Sequence, residues 1–296
     1  MHRKLDYPKM LIHLFFIAVT LGMLIPFVLV IMISITDEAS IAKYGYRLWP
    51  DSFDFTAYRY VVQSPALLFR AYGVTILVTV VGTLLSLLAM AMIAYVLSRR
   101  DYAYNRQTTF LIFFTLLFSG GLVPYYMLMA QALHLKDTVW AMILLPTLVH
   151  PLHVLILRTF LRTLPLEIIE SAKMDGAREY RIFFSLIVPL SAPALVTLTL
   201  LVSIVYWNEW LNAVLFIEND RLFPLQLLLV RMMANSHFLQ TSTAFISGIS
   251  FDSAASFPVL SARMTVALLA GGPMMVVFPV FQKYFVKGLT LGSIKS

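Results

Sequence analysis

The chain contains no cysteine. That excludes disulfides, thiolate metal sites and a thiol nucleophile. Charge is nearly as scarce: 12% of residues are Asp, Glu, Lys or Arg, against about a quarter in soluble globular domains. The phosphate-cradling pattern Gly-x-x-x-x-Gly-Lys-Ser/Thr is missing, so the chain has no nucleotide-hydrolysing loop of its own. Neither His-Glu-x-x-His nor Gly-x-Ser-x-Gly occurs, which leaves an intramembrane enzyme without its usual machinery. The net charge of +7 is spread over the ends of apolar runs rather than gathered in a patch, which argues against nucleic acid.

What is present is apolar. Hydrophobic residues make up 60% of the chain and the mean hydropathy is +0.83, the composition of an integral membrane protein. A spanning helix needs about 20 mostly apolar residues. Six stretches qualify, at about 10–35, 71–97, 108–131, 138–159, 190–217 and 264–286. They predict an all-α polytopic membrane protein, a single transmembrane domain over 1–296, with the longer loops at 37–69, 160–189 and 218–262. The first stretch follows Arg3, Lys4 and Lys9 and reads as a retained signal anchor, because it is long and lacks a small-residue cleavage site.

Lysine and arginine set the orientation. With the N-terminus inside, 14 of the 22 basic residues fall on the cytoplasmic side, including Arg99, Arg106, Arg158, Arg162 and Lys173. Both termini and segment 160–189 are therefore expected in the cytoplasm. Prolines and glycines interrupt several spans: Pro26, Gly120-Gly121, Pro124, Pro146, Pro151, Pro193, Gly271-Gly272-Pro273 and Pro279. Broken backbone at membrane depth is tolerated only against protein or a water-filled cavity, so so many breaks favour a bundle bent around a path. The outer loop 37–69 is rich in aromatic residues, Trp49 and Phe53 among them, and is expected to cap the bundle. The Ser/Thr-rich part of loop 218–262 carries Phe238, Phe245 and Phe251, too apolar for a solvated tether.

The charged island 165–189 is the most informative segment. Pro165 suits a helix start, Glu167 and Glu170 sit near its positive end, and Asp175-Gly176 breaks it. Ile168 and Ala172 fall four apart on one face. A second apolar segment with Ile182, Phe183, Leu186 and Ile187 runs to Pro189. On these residues alone, a docking element for a soluble partner and a connector lying on lipid headgroups fit equally well.

The run Glu170-Ser-Ala-x-x-Asp175-Gly176-Ala177, followed by Phe183, Ile187 and Pro189, resembles the EAA loop of ATP-binding-cassette importer permeases. Ser171 stands where the family usually has alanine, a small-for-small change. Phe118-Ser-Gly-Gly-Leu-Val-Pro124, Trp207-Asn208-x-Trp210 and Lys287-Gly288-Leu289-Thr290 look like the carbohydrate, maltose-importer type, nearest to the branch that handles complex saccharides including alginate. The resemblance implies a type I permease fold of six transmembrane helices with a cytoplasmic coupling helix. It implies that Glu170, Ala172, Asp175, Gly176 and Ala177 meet a cassette ATPase dimer that carries ATP and magnesium, this chain binding no cofactor or metal itself. It further implies a second, homologous permease, an extracytoplasmic substrate-binding protein contacted through residues 232–256, a C-terminal tail (288–296) laid against the ATPases, and a bacterial inner-membrane location.

Sugars are recognised by aromatic rings and polar groups. Tyr206, Trp207, Asn208, Glu209 and Trp210, with Tyr125 and the neighbouring Tyr126, are therefore candidates for the substrate path. Glu209 is the one acidic residue placed within a span, where charge is a functional candidate by default. Trp and Tyr also serve simply as interfacial anchors. His150 and His153 lack a carboxylate or cysteine to complete a metal site and read as cavity-lining or hydrogen-bonded groups. The competing function is a secondary transporter driven by an ion gradient, which would need titratable groups at mid-membrane such as Glu209 or these histidines.

Overall fold

The structure is a computed structural model and describes residues 7–62, 65–144, 148–234 and 258–290. Among these residues everything regular is helical, apart from a single bridge between Thr36 and Phe53. The contacts divide the chain into two units, residues 1–65 with 229–272 and residues 66–228 with 273–296.

In the first unit, α1 (Tyr7–Ser34) is apolar on every side, with Phe15, Phe16 and Leu21 all exposed. A helix of that kind is stable only in lipid or against another apolar surface. Its end is pinned where Ser34 shares a hydrogen bond with the Tyr58 hydroxyl at 2.9 Å, and α3 (Thr56–Val62) supplies that tyrosine. Asp37 caps α2 (Glu38–Tyr44) by accepting from Ser40 N. Glu38 then accepts from Leu260 N at 2.9 Å and Ser261 N at 3.1 Å. A carboxylate placed on unpaired N–H groups at the start of α15 (Val259–Thr290) satisfies the helix end and its positive dipole together.

The second unit is built on α4 (Pro65–Ser98), 34 residues that rise to about 51 Å. Val78, Gly82, Ser86, Met90 and Ala94 recur every four residues and are buried along one stripe. Gly82 carries the closest approach in that stripe: a Cβ there would meet the Tyr206 ring at 2.6 Å. The Tyr206 hydroxyl in turn donates to Ile143 O at 2.7 Å. Ser86 donates to Leu148 O at 3.0 Å, and Thr75 accepts from Leu225 N at 2.7 Å. Small side chains let neighbouring segments approach, and hydroxyls satisfy their backbone where it is not helical.

Those neighbours are broken helices. Residues 108–131, read above as one stretch, fall in α5 (Asn105–Leu117) and in α6 (Leu122–Met127) with its continuation to Ala132, which meet at 111°. Gly121, at φ +87°, makes the bend. Residues 138–159 contain α7 (Trp140–Ile143) and α8 (Pro151–Leu161), with 145–147 outside the described residues. Further on come α9 (Leu166–Met174), α10 (Glu179–Ile182), α11 (Val188–Leu190), α12 (Ala192–Trp207), α13 (Leu211–Phe216) and α14 (Leu225–Ala234). The segment Glu179–Leu190 meets α12 at 80°. Among the described residues, two helices can cross a membrane by length and composition, or up to four if each bent pair counts as one span.

At the far end of this unit from Ser98, Asp137 adopts φ +56°. It accepts from the backbone of Glu218 and Asn219 at 2.7 and 2.9 Å, bonds that hold its carboxyl below the usual carboxylate range. Lys136 pairs with Glu218 at 2.7 Å beside it.

Replacing Gly82 by alanine is expected to push the Tyr206 ring off Ile143 O and cost about 1–3 kcal/mol. Tyr206→Phe, which keeps the packing but leaves Ile143 O without this donor, is expected to cost about 1–3 kcal/mol. Thermal unfolding of the purified importer measures both, with Gly82→Ala showing the lower midpoint.

Candidate functional site: the EAA-like turn and its brace

The island folds as helix, tight turn, helix. Pro165 stands as the cap immediately before α9, with Glu167 in the first turn. At the other end the Gly176 N–H donates to Lys173 O at 2.9 Å and the Ala177 N–H to Ala172 O at 3.0 Å. That pair of bonds is a Schellman closure, which needs a left-handed residue at its centre; Gly176, at φ +77°, provides it. The spacing from Ala172 to Ala177 is therefore the spacing of a helix stop. Both alanines pack against the buried cluster that contains Ile169, Ile182, Phe183 and Ile187, so small side chains at these positions let the turn lie close to the bundle. Asp175 is the cap residue and lies exposed.

The opposite face is bare. Glu170 is exposed and Met174 at the tip is 89% exposed, as is most of Tyr180. After α10 the chain widens into a π-turn over Phe183–Ile187, where the Val188 N–H reaches Phe183 O five residues back. Pro189 has no N–H with which to continue the usual ladder, and the wide turn places Phe183 and Ile187 in the core.

Charged side chains tie the turn to the end of α4. Lys173 pairs with Glu179 at 2.8 Å and approaches Asp101 at 3.7 Å. Arg99 binds Asp101 through two bonds, at 3.0 and 2.7 Å, and lies 3.9 Å from Glu179. The Tyr95 hydroxyl donates to the second Glu179 oxygen at 2.7 Å. The hydrogen bond from Arg99 holds the Asp101 carboxyl below its ordinary value and raises the guanidinium's. Partial burial pushes Glu179 upward, but hydrogen bonds from Lys173 and Tyr95 outweigh it, and the net shift is downward. A second tie runs beside the first: Arg158 donates to Leu97 O and to Asn105 Oδ1, both at 3.0 Å. Asn105 itself donates to Leu97 O at 2.8 Å.

Of the candidates for a substrate path, Tyr206 and Trp207 are buried, Tyr206 being engaged with Gly82 and Ile143. The chain leaves the helix at Asn208, which donates to Ile204 O at 2.8 Å, and re-enters it at Leu211. Glu209 accepts from Asn212 N at 3.0 Å and so caps α13. Tyr125 donates to Asn212 Oδ1 at 3.0 Å, and its ring and that of Tyr126 both meet Phe216. Asn208 is exposed and Trp210 is 46% exposed. The His150 and His153 rings lie 4.7 Å apart. No group of three or more metal-binding side chains occurs among the described residues. Residues 235–256 of the outer loop and 291–296 of the tail lie outside them.

Sequence reasoning found the turn but not its brace. Tyr95, Arg99, Asp101 and Glu179 were not singled out, although the charges clustered after Leu97 and around Gly176 were a readable signal.

The described residues thus combine helices apolar and long enough to cross a membrane with a polar turn braced by charged side chains. Residues 87–291 match the family described as "Binding-protein-dependent transport system inner membrane component", and the chain belongs to that family. It is 35% identical over 286 residues to a polygalacturonan/rhamnogalacturonan transport system permease protein of Bacillus subtilis, covering 97% of each chain. An arabinooligosaccharides transport system permease protein of the same organism is 27% identical, with 97% of this chain and 96% of that one covered. A bacterial transporter that imports the acidic polysaccharide alginate contains a chain of similar structure, with a TM-score of 0.77 and 25% identity, over 96% of this chain and 99% of that one. This is therefore a multi-pass inner-membrane permease of an ATP-binding-cassette importer and not a gradient-driven transporter. It is a non-catalytic subunit, with ATP hydrolysed by a partner ATPase.

Because Asp101 and Glu179 titrate below their usual values, their stabilising contribution is complete above the ordinary carboxylate range and disappears as pH falls through it, below about 4. Hydrogen exchange of the 166–180 backbone, followed from pH 7 downward, is expected to lose protection in that window. Glu179→Gln is expected to show the weaker protection already at pH 7.

Proposed function

We propose that the turn at 166–177 is the coupling helix of this permease, facing the cytoplasm with both termini, in a six-span half-pathway completed by a second, homologous permease. The observation that carries this is the pairing of a buried, Schellman-closed inner face with an exposed outer face of Glu170, Met174 and Asp175. An exposed tip methionine, held in place by five polar side chains behind it, suits a surface that a partner covers. Glu170 would pair with a basic residue in a cleft of the cassette ATPase, where ATP and magnesium are held. Closure of the ATPase dimer would then displace the turn and switch the bundle between inward- and outward-open states as rigid bodies. A substrate-binding protein would deliver cargo from outside.

The cargo is proposed to be an oligosaccharide. The substrates of the relatives support this, and the 35% match and the alginate importer both concern acidic polymers. Asn208 and Trp210, at the break in the fifth predicted span, are the exposed members of the aromatic-polar group and the proposed sugar contacts. Tyr206, Trp207, Glu209 and Tyr125 would then shape the path from behind, since the contacts of Tyr206, Glu209 and Tyr125 are within the protein.

Gly176→Val places a β-branched residue in the left-handed region, at a cost of about 1–3 kcal/mol to the turn. In the reconstituted importer this change and Glu170→Ala are expected to abolish ATP-driven uptake of the saccharide while the permease pair stays folded. Uptake by the permease pair without its ATPase, or uptake insensitive to both changes, would contradict the proposal. Acidic oligogalacturonates and neutral arabino-oligosaccharides, each offered with the binding protein, are to be compared by stimulation of ATP hydrolysis, with the acidic set expected to stimulate more strongly.

A further inference from the structure

Between α5 and α8 lies an open groove of about 610 Å³, lined by Asn105, Arg106, Thr109, Phe110, Phe113, Leu155 and Arg158. Its two ends differ in chemistry. One end carries the guanidinium groups of Arg106 and Arg158, with Arg162 beside them, 3.4 Å from the Asn105 side-chain oxygen. The other is an apolar wall of Phe110, Phe113 and Leu155, with Phe110 62% exposed. From Arg106 to Phe113 the helix rises about 10 Å, from the basic end to the apolar wall.

The basic end is unneutralised. Among the described residues no carboxylate forms an ion pair with Arg106, Arg158 or Arg162, whereas Arg99 and Lys173 pair with Asp101 and Glu179. Arg158 is also held in place. Its Nε and Nη2 donate to Leu97 O and Asn105 Oδ1, which fixes the plane of the fork and commits two of its five N–H groups to the protein. A fixed guanidinium beside a free one, at the head of an apolar channel, complements an anion that carries its own hydrocarbon.

We infer that this groove holds an anionic phospholipid, its phosphate between Arg106 and Arg158 and an acyl chain along Phe110 and Phe113. A basic pocket between helices at the membrane surface favours such headgroups, each nearby cation adding about a fivefold preference. A soluble acidic segment would satisfy the arginines but leave the phenylalanine wall unmatched. A zwitterionic lipid would match the wall but leave the arginines without net countercharge. The inference concerns the permease and its bilayer and is independent of which saccharide is carried.

The test uses the whole importer complex. Native mass spectrometry after exchange into mixed phosphatidylcholine and phosphatidylglycerol is expected to show phosphatidylglycerol retained by the natural chain and lost about fivefold more readily by Arg106→Gln, with a larger loss for Arg106→Glu. Arg106 is exposed and its side chain forms no ion pair or hydrogen bond among the described residues, so these changes are expected to leave the fold intact, which saccharide-stimulated ATP hydrolysis checks. Because the chain has no cysteine, Phe110→Cys can carry a single fluorophore. Brominated phosphatidylglycerol should quench it more than brominated phosphatidylcholine does, and Arg106→Glu should erase the difference. Equal retention by the natural and variant chains overturns the inference. So does quenching that ignores the headgroup, or no quenching at all because the partner permease covers the groove. Displacement of the lipid by soluble glycerol phosphate at matched concentration would reassign the site to free phosphate and overturn it as well.

Discussion

Everything in the second unit depends on how backbone that is not helical is kept satisfied in an apolar setting. An unpaired carbonyl or N–H in hydrocarbon costs several kcal/mol, so a chain broken at Gly121, beyond Leu144 and at Asn208 cannot persist on packing alone. Two polar side chains of α4 and one tyrosine of α12 meet that demand. Thr75 takes Leu225 N, Ser86 serves Leu148 O, and Tyr206 serves Ile143 O. Gly82 is part of the same arrangement, because only an absent side chain lets the tyrosine ring lie flat on α4 with its hydroxyl in reach. Breaks that would otherwise be defects become fixed corners.

The EAA-like turn obeys the same logic on the water side. Here water satisfies stray polar groups, so the structure uses its bonds for position instead. The Schellman closure sets the angle between α9 and α10, the two alanines set their distance from the core, and the Lys173–Glu179–Tyr95–Arg99–Asp101 network locks both helices to one end of α4. Individually, exposed ion pairs are worth little. Their value here is geometric, because Glu179 has one oxygen on the turn's own lysine and the other on the α4 tyrosine.

The turn was legible in the sequence and its brace was not. Gly176 and the interval between Ala172 and Ala177 are local, and a five-residue pattern encodes a five-residue closure. The brace joins residues some eighty positions apart, and pairings at that range leave no periodic trace in a single chain. The helix breaks were legible in proportion to their chemistry. Gly120-Gly121 announced the bend that the structure places there. The break at Asn208 was hidden inside an aromatic run, since Asn208 and Glu209 make it by bonding to Ile204 O and Asn212 N rather than through glycine or proline. The same run had suggested sugar contacts in Tyr206, which the structure uses in its core. An aromatic residue with a polar tip suits either role, and only its neighbours decide.

The length of α4 has one more consequence. From Thr75 to Tyr95 it rises about 30 Å, the thickness of a bilayer's hydrocarbon, and that stretch has no proline and no glycine other than the packed Gly82. A loop-linked chain would dissipate a displacement in its soft joints. This helix is a stiff pushrod with a hard fitting at each end, the ion network at one and the Leu225 backbone bond at the other. If the turn couples as proposed, a displacement imposed on it would be carried along α4 to the Leu225 end with little loss.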